Sequence, residues 1–350
     1  FNGVIISDSI TVVAQDFVHL FVTMQVHDKA KSEPVHGEIE KELSQITTNW
    51  SEGLLNKLCD ELGEYEGSLR HKEIEGSFPS DYRHKYDAAT SIDDVHHLEL
   101  ATRQGKLVTN LLSGEKNEFL LRFYTPEIRL TLSDILPANE NLGFVANDEQ
   151  SFQISESKDF KKSWIYEFKL QAQNQTDVPM NIIKKNIEEA FNKIGSGELT
   201  SDALGKLIVL AGSDWRKVKL LKAIARYLHQ TGFIYGKGYV MQILVKHYQY
   251  TQKLIELFEA RFSTTKSSVE NAEKIMSEMV NYLDSVDSSS EDKVLTNMRL
   301  IILAIVRTNF YQKTRAGNVK NYISFKFDSS KVPDLSLPVP YAEIFVYSND

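Results

Sequence analysis

The 350 residues carry forty Lys and Arg against forty-eight Asp and Glu, a formal net charge of −8, and 42% of them are hydrophobic. Such a chain can bury a sizeable core in two or three units of roughly 100–200 residues each. Its acidic balance argues against a nucleic-acid or anionic-membrane partner. Cys59 is the only cysteine, which excludes an internal disulfide and a thiolate zinc cluster and points to a reducing, cytoplasmic setting.

The chain opens on Phe1-Asn2-Gly3-Val4, with no Met, basic region or cleavage-type site, so it does not read as a signal peptide. Residues 10–13 and 17–26 are β-rich; in the second run Leu20, Val22, Met24 and Val26 alternate with other residues, the period of a half-buried strand. A helix is expected from Pro34, with Ile39, Leu43 and Ile46 on one face. Helical spacing continues over 50–62 through Leu54, Leu55, Leu58 and Leu62. Residues 63–89 mix Gly, Ser, Pro and charge and read as short helices and loops.

The middle is more regular. Residues 119–124 form a strand that ends in a turn at Pro126. A helix over 130–142 follows, capped by Ser133 or Thr131, with Gly143 in the left-handed position after it. Strands over 144–154 and 164–170 flank a polar loop at 155–161, and a helix over 179–194 begins at Pro179. The order β-α-β-β-α fits a ferredoxin-like split βαβ unit.

Beyond residue 177 the pattern is almost wholly helical. Helices are expected over 201–211 (cap Thr200, stop Gly212), over 214–230 (cap Ser213, Gly232 beyond its end) and over 238–261. Ser267-Ser268-Val269-Glu270 and Ser288-Ser289-Ser290-Glu291 match the capping box, in which a Ser hydroxyl takes the backbone N–H three residues on. The helix over 291–312 is apolar on every face between residues 300 and 306, which places it at the centre of a bundle. That apolar run is the longest in the chain and is far short of a bilayer span of about 20 residues. At Asn321 the character changes: 322–327 alternates as a strand, Pro333, Pro338 and Pro340 mark an extended connection, and 344–347 is a further strand. This reads as the opening of a new domain, with both ends of the chain looking cut; a complete protein with a trimmed terminus is the alternative.

Catalytic signatures are sparse. The best dinucleotide candidate, Gly195-Ser196-Gly197, lacks the third glycine and follows a helix instead of a strand, so a loop between helices accounts for it better. Gly236-Lys237-Gly238 fails the phosphate-loop pattern for the same reasons. His96-His97 is the only paired histidine, and adjacent residues point in different directions, against a shared metal. Cys59 lies among leucines and reads as a small core residue in preference to a nucleophile. Lys219, Lys222 and Arg226 share one helical arc, with Trp215 at its start. A basic stripe with an aromatic fits a phosphate or a partner domain, but a solvated helix face is the expectation preferred here.

Several segments resemble the amino-terminal regulatory half of the large bacterial NAD-dependent glutamate dehydrogenases. Leu132-Ser133-Asp134-Ile135-Leu136-Pro137 with Glu140-Asn141-Leu142-Gly143-Phe144 is similar to the family's third ACT-type module. Trp164-Ile165-Tyr166-Glu167-Phe168 resembles its closing strand, although the family usually has His at the position of Tyr166. Ser213-Asp214-Trp215-Arg216, continuing to Gln230-Thr231-Gly232-Phe233, and Leu257-Phe258-Glu259-Ala260-Arg261-Phe262 match the helical region that follows. Arg307-Thr308-Asn309-Phe310-Tyr311-Gln312, Tyr322-Ile323-Ser324-Phe325-Lys326 and Glu343-Ile344-Phe345-Val346-Tyr347-Ser348 resemble the lead-in to catalysis. The resemblance runs from about residue 90 to 350 and is looser before that.

It implies an α+β chain: ferredoxin-like (ACT-type) βαββα modules, then an α-helical bundle, then the first strands of a truncated α/β catalytic domain. The bounds so implied are 1–50 for the end of an ACT-like module, 51–90 for a helical linker, 91–177 for an ACT-like module, 178–316 for the helical domain and 317–350 for the start of the catalytic domain. The parent protein would deaminate L-glutamate to 2-oxoglutarate and ammonia with reduction of NAD. No catalytic, NAD-binding or metal residue transfers to this segment, so no cofactor is expected on it and the segment alone is expected to be inactive. Its partners would be its own catalytic domain and other subunits of a homo-oligomer. ACT-type modules often bind amino acids at the turn into the first helix, here residues 126–134, which makes Thr131, Ser133 and Asp134 effector-site candidates. Packing of that helix on its sheet or on a neighbouring subunit is the plainer reading. A free-standing amino-acid sensor and a purely structural oligomerisation scaffold are the rival functions.

Overall fold

The computed structural model describes residues 3–14, 17–26, 49–114, 118–174, 178–265 and 269–348; of residues 3–14, 17–22, 24–26, Leu132 and Asp134 it describes the backbone only. The helix expected from Pro34 and the capping box at Ser267 and Ser268 lie outside the described residues. The chain divides into two compact units, residues 1–71 with 87–89, and residues 72–86 with 90–350.

In the first unit β1 (Gly3–Ala14) and β2 (Phe17–Val26) form an antiparallel hairpin. Helix α1 (Trp50–Leu62) starts at Asn49, whose side chain accepts from Ser51 N, and stops at Gly63, with φ 87°. Helix α2 (Glu64–Ile74) packs hard against it at Gly67, where a Cβ would stand 2.6 Å from Cys59 Cα, so no side chain fits there.

The second unit holds most of the core. It begins with α3 (Ser80–Lys85) and α4 (Ala88–Gln104), followed by β3 (Val108–Ser113) and β4 (Glu118–Pro126). Next come α5 (Leu132–Asn141), β5 (Phe144–Ile154), β6 (Ser163–Ala172) and α6 (Met180–Gly195). The sheet order is β3-β4-β6-β5, every neighbouring pair antiparallel, so β4 and β5 run parallel with β6 between them. Alternation divides the sheet into two faces. Leu121, Phe123, Tyr166 and Phe168 join a core shared with α5 and α6. Arg122, Tyr124 and Glu167 point the other way, toward α4, and are buried as well. On the edge strand β3 the main-chain N–H of Leu111 is met by the Glu188 carboxylate from α6 at 2.9 Å, which blunts the open edge.

Two of these elements, α4 and β3, have no counterpart in the expectations above. Helix α4 buries Ser91 and Asp94 beside Ile92, Val95 and Leu98, and β3 buries Thr109 and Asn110, so polar residues interrupt the apolar period in both.

The helical region follows as α7 (Leu207–Ala211), α8 (Trp215–Gln230), α9 (Lys237–Lys246), α10 (Tyr248–Phe262), α11 (Val269–Leu283) and α12 (Ser289–Ala304). Residues 203–206 form a 3-10 turn capped by Asp202, not by Thr200, and Gly212 takes the left-handed stop with φ 59°. The single helix expected over 238–261 is two helices. His247 leaves the helical region (φ −99°, ψ 48°), and its ring meets Tyr282 OH at 3.0 Å and Glu291 Oε2 at 2.7 Å. The helix expected to run to residue 312 ends at Ala304. Ile305, Val306 and Thr308 are β-branched, and the segment β7 (Ile305–Thr308) pairs with β8 (Ile323–Phe327), a tertiary gain that outweighs further helix. Strand β9 (Glu343–Tyr347) completes an antiparallel sheet β7-β8-β9 whose inner face carries Ile323, Phe325, Phe327 and Phe345.

Candidate functional site

Helix α8 is the element on which the C-terminal sheet is seated. Its start is set by Asp214, whose carboxylate accepts from Arg216 N and Lys217 N at 2.9 Å each, one residue later than the Ser213 cap expected from the sequence. Val218, Leu221 and Leu228 face the core. The opposite stripe was expected to be solvated, and there the structure differs: Lys219 and Lys222 are 1% and 3% exposed, and Arg216 is buried too. Of the arc Lys219, Lys222 and Arg226, only Arg226 reaches solvent.

The buried cations donate mainly to main-chain carbonyls of segments far away in sequence. Arg216 reaches Lys320 O at 2.9 Å and Phe310 O at 3.1 Å, with its guanidinium 4.9 Å from the Phe310 ring. Lys219 Nζ donates to Glu198 O at 2.8 Å and to Asn321 O at 2.6 Å. Lys222 Nζ donates to Thr200 O and pairs with Asp202 Oδ2 at 3.0 Å. One turn on, the Tyr227 ring stacks on Phe327 at 3.9 Å and its hydroxyl donates to Glu343. A single helix therefore holds the loop after α6 on one side and the β7–β8 connection and β9 on the other. Asn309 closes that connection, accepting from Ser324 N at 2.7 Å and donating to Tyr322 O at 3.2 Å.

These positions cost electrostatic energy. Burial, with the neighbouring Arg216 cation, pushes the Lys219 ammonium down to about 8. Burial lowers Lys222 as well, against the pull of Asp202. A neutral Lys219 amine keeps two N–H donors, so both carbonyls stay bonded when the charge is lost.

A second group of buried charges lies between α4 and the four-stranded sheet. Arg122 and Glu167 face each other in register on β4 and β6, with Nε to Oε2 at 2.9 Å. The same guanidinium reaches Asp94 Oδ1 at 2.9 Å, and that carboxylate also accepts from Tyr82 OH at 2.5 Å and Tyr124 OH at 2.6 Å. Lys85 Nζ and Tyr86 OH complete the shell around Glu167, Lys85 at 2.6 Å. Burial alone would raise the Glu167 carboxyl, but the bonds from Lys85 and Tyr86 and the Arg122 charge outweigh it and hold the group below its usual range. Burial lifts Asp94, against the same guanidinium and the two tyrosine hydroxyls. A signal was available for these residues: one Arg in β4 and one Glu in β6, each set between large apolar or aromatic neighbours. Without strand register nothing in the sequence pairs them.

The residues singled out from sequence are not gathered into one place. Thr131 is the cap position of α5 without a side-chain cap bond, and its Oγ1 lies 2.9 Å from Ser133 Oγ on the exposed start of the helix. The Asp134 side chain lies outside the described residues. Just before them Leu130 N donates to Tyr166 OH at 3.0 Å, so one main-chain donor of that turn is already engaged. His97 stacks on Tyr124 at 4.8 Å between centroids and its Nδ1 lies 2.7 Å from Asp93 O, while His96 is exposed. Among the described residues no three His, Cys, Asp or Glu gather as a metal site. Cys59 is half-buried, 3.8 Å from Glu64 O. Gly195-Ser196-Gly197 closes the carboxyl end of α6, with Ser196 N bonded to Asn192 O and Gly197 N to Ile194 O. Helix carbonyls repel a pyrophosphate there, so these residues do not fit a dinucleotide. No helix among the described residues is long and apolar enough to cross a membrane.

Three family descriptions match successive parts of the chain. "Glutamate dehydrogenase, ACT3 domain" matches residues 106–183, "Glutamate dehydrogenase, helical motif 3" residues 199–264, and "Bacterial NAD-glutamate dehydrogenase, catalytic domain" residues 278–350. The NAD-specific glutamate dehydrogenase of Halomonas elongata is 32% identical over 314 residues, covering 89% of this chain and 19% of the relative. That of Pseudomonas aeruginosa is 31% identical over 334 residues, covering 93% of this chain and 20% of the relative. That of Mycobacterium tuberculosis is 26% identical over 317 residues, covering 87% and 19%. The chain thus spans about a fifth of the length of the curated relatives it matches.

Proposed function

We propose, since the chain belongs to the bacterial NAD-specific glutamate dehydrogenase family, that it is the regulatory and scaffolding stretch that carries the opening of that family's catalytic domain. The observation that supports this is the role of α8. Its Arg216 and Lys219 reach main-chain oxygens at Phe310, Lys320 and Asn321, and Tyr227 stacks on Phe327 and bonds Glu343. Bonds to backbone oxygens position a segment whatever its side chains. A shift of the helical region would therefore be passed directly to the first strands of the catalytic sheet.

The whole protein would convert L-glutamate, NAD⁺ and water to 2-oxoglutarate, ammonium, NADH and a proton. It would do so in the cytoplasm as a homo-oligomer, with NAD held by parts of the protein other than these residues. The division at 178–316 and 317–350 is proposed as the helical domain and the start of the catalytic domain, the latter borrowing β7 from the preceding chain. The sheet with α4, α5 and α6 is proposed as an ACT-type unit of ferredoxin-like kind. The parallel pair β4 and β5 with β6 between them supports this, the fourth place being filled by β3 from the amino-terminal side. Residues 126–134 with Thr131, Ser133 and Asp134 are its proposed effector turn, tested by calorimetry with the twenty amino acids. Absence of heat with all of them removes the effector.

The scaffold reading is tested by activity in two proteins. The 350-residue chain alone should form no NADH from glutamate and NAD⁺; turnover by pure material would sink the assignment. In the full-length enzyme Arg216→Ala, which removes the bonds to Phe310 O and Lys320 O, should lower kcat. An unchanged kcat would remove the coupling role of α8.

A further inference from the structure

Beside the α8 cations lies a cavity of about 450 Å³, walled by the second half of α8, the start of α9, the turn at Thr200 and Asp202, and strand β9. Three cations line it, Lys222, Arg226 and Lys237, against one carboxylate, Asp202. Asp202 is already neutralised by Lys222 at 3.0 Å. Among the described residues neither Arg226 nor Lys237 is paired with a carboxylate. In a chain of net charge −8 this cavity therefore keeps two positive charges without a carboxylate partner, one from α8 and one from the start of α9. Ala225, Met241 and Phe345 give it an apolar lining as well. Its volume falls in the range of small-ligand sites, roughly 300–1,000 Å³, which combine apolar walls with a few convergent polar groups.

We propose that this cavity binds a small organic or inorganic dianion, a phosphate or a dicarboxylate, held between Arg226 and Lys237. A monoanion would leave one of the two cations unmatched. Arg226 supplies a planar fork that fits either oxyanion, and Lys237 supplies a point charge. The occupant touches α8, α9 and β9 together, so it ties the helical region to the C-terminal sheet and stabilises the assembly by mass action. The site does not depend on what the whole protein catalyses.

The test is calorimetric titration of the 350-residue chain with pyrophosphate and, separately, glutarate at low ionic strength. The chain is compared with Arg226→Gln, Lys237→Gln, Arg226→Lys and, as a control, Lys326→Gln on the exposed face of β8. Saturable one-site binding of either probe is expected. It should weaken about tenfold in each Gln variant, less in Arg226→Lys, and not at all in the control. Binding of pyrophosphate alone identifies a phosphate ligand, and of glutarate alone a dicarboxylate. A melting temperature without ligand that matches the parent shows each variant to be folded, as the exposed side chain at 226 and the half-buried one at 237 lead one to expect. No saturable heat with either probe, or equal affinity in the Gln variants and the parent, overturns the proposal. Either failure leaves the α8 reading standing, because that rests on the buried face of the helix.

Discussion

The second unit buries its charges in two ways. At the sheet, Arg122 is matched by carboxylates, Asp94 and Glu167, with tyrosine hydroxyls taking up the remaining oxygen sites. At α8, Arg216 and Lys219 are matched by main-chain carbonyls. The first arrangement is specific to side chains: change one member and a buried charge stands alone. The second is specific to the path of the backbone, and it spans segments about a hundred residues apart in sequence. A charge–charge cluster locks a helix onto a sheet, whereas a cation on carbonyls seats a loop. The difference matches the proposed roles, a closed module on one side and a transmitted position on the other.

The largest expected effect breaks the first arrangement. Arg122→Met should cost about 3–5 kcal/mol in urea denaturation, since it leaves two buried carboxylates without their cation. Adding Asp94→Asn and Glu167→Gln to that variant should recover much of the loss, because the uncompensated charges go with them. No recovery would mean that packing, not charge, holds α4 to the sheet.

The second arrangement should yield less. Arg216→Ala or Lys219→Met strands carbonyls and should cost about 1–3 kcal/mol each. The loss should be local, seen as faster amide exchange at Ile323 and Ser324 with little change at Leu121 or Phe168 in the four-stranded sheet. Uniform acceleration across both sheets would erase the distinction between the two regions.

How far the sequence revealed these regions follows from what each element hides. Strand β6 and helices α1, α6 and α8 were legible because apolar residues recur along each at the period of its element, and β5 because Gly143 ends the helix before it. Helix α4 was not, since Asp94 and Ser91 sit on its buried face and break the apolar stripe. The break at His247 was hidden because apolar residues continue on both sides of it, and only the ring's contacts with Tyr282 and Glu291 reveal why the helix stops. The α8 stripe was visible as a pattern of charges, but its burial was not. Lysine looks the same in sequence whether it faces water or a carbonyl. The likeness to glutamate dehydrogenases was legible through whole segments, and the match to three successive family descriptions supports it.

Titration separates the two regions by pH window, since both contributions rise with pH. Lys219 sits near 8 in the fold against 10.5 when unburied, so between those values the unfolded chain holds the extra proton. Stability from this residue should therefore rise as pH goes from about 8 toward 10.5, and Lys219→Met should remove that rise. Glu167 acts at the other end. Its folded value lies below 4.5, so its contribution is complete above 4.5 and is lost as pH falls through the lowered value. Glu167→Gln should flatten that acid limb. A parent and a Lys219→Met variant with parallel stability curves above pH 8 would show that the amine is not desolvated.

The smallest effects compare two helix caps, one in the coupling helix and one in the bundle behind it. Asp214 accepts two main-chain N–H groups at 2.9 Å at the start of α8, whereas Ser288 accepts one, from Glu291, at 3.4 Å at the start of α12. A charged cap with two short bonds also meets the positive end of the helix, so Asp214→Ala should cost about 1–2 kcal/mol and Ser288→Ala about 0.5 kcal/mol. The order matters more than the sizes. Fraying the first turn of α8 loosens Arg216, two residues from the cap, and so should speed exchange at Ser324 as Arg216→Ala does. Fraying α12 should leave Ser324 untouched even though that helix runs directly into β7. If Ser288→Ala disturbs the sheet more than Asp214→Ala, the sheet takes its position from the covalent path through α12 and not from the side chains of α8.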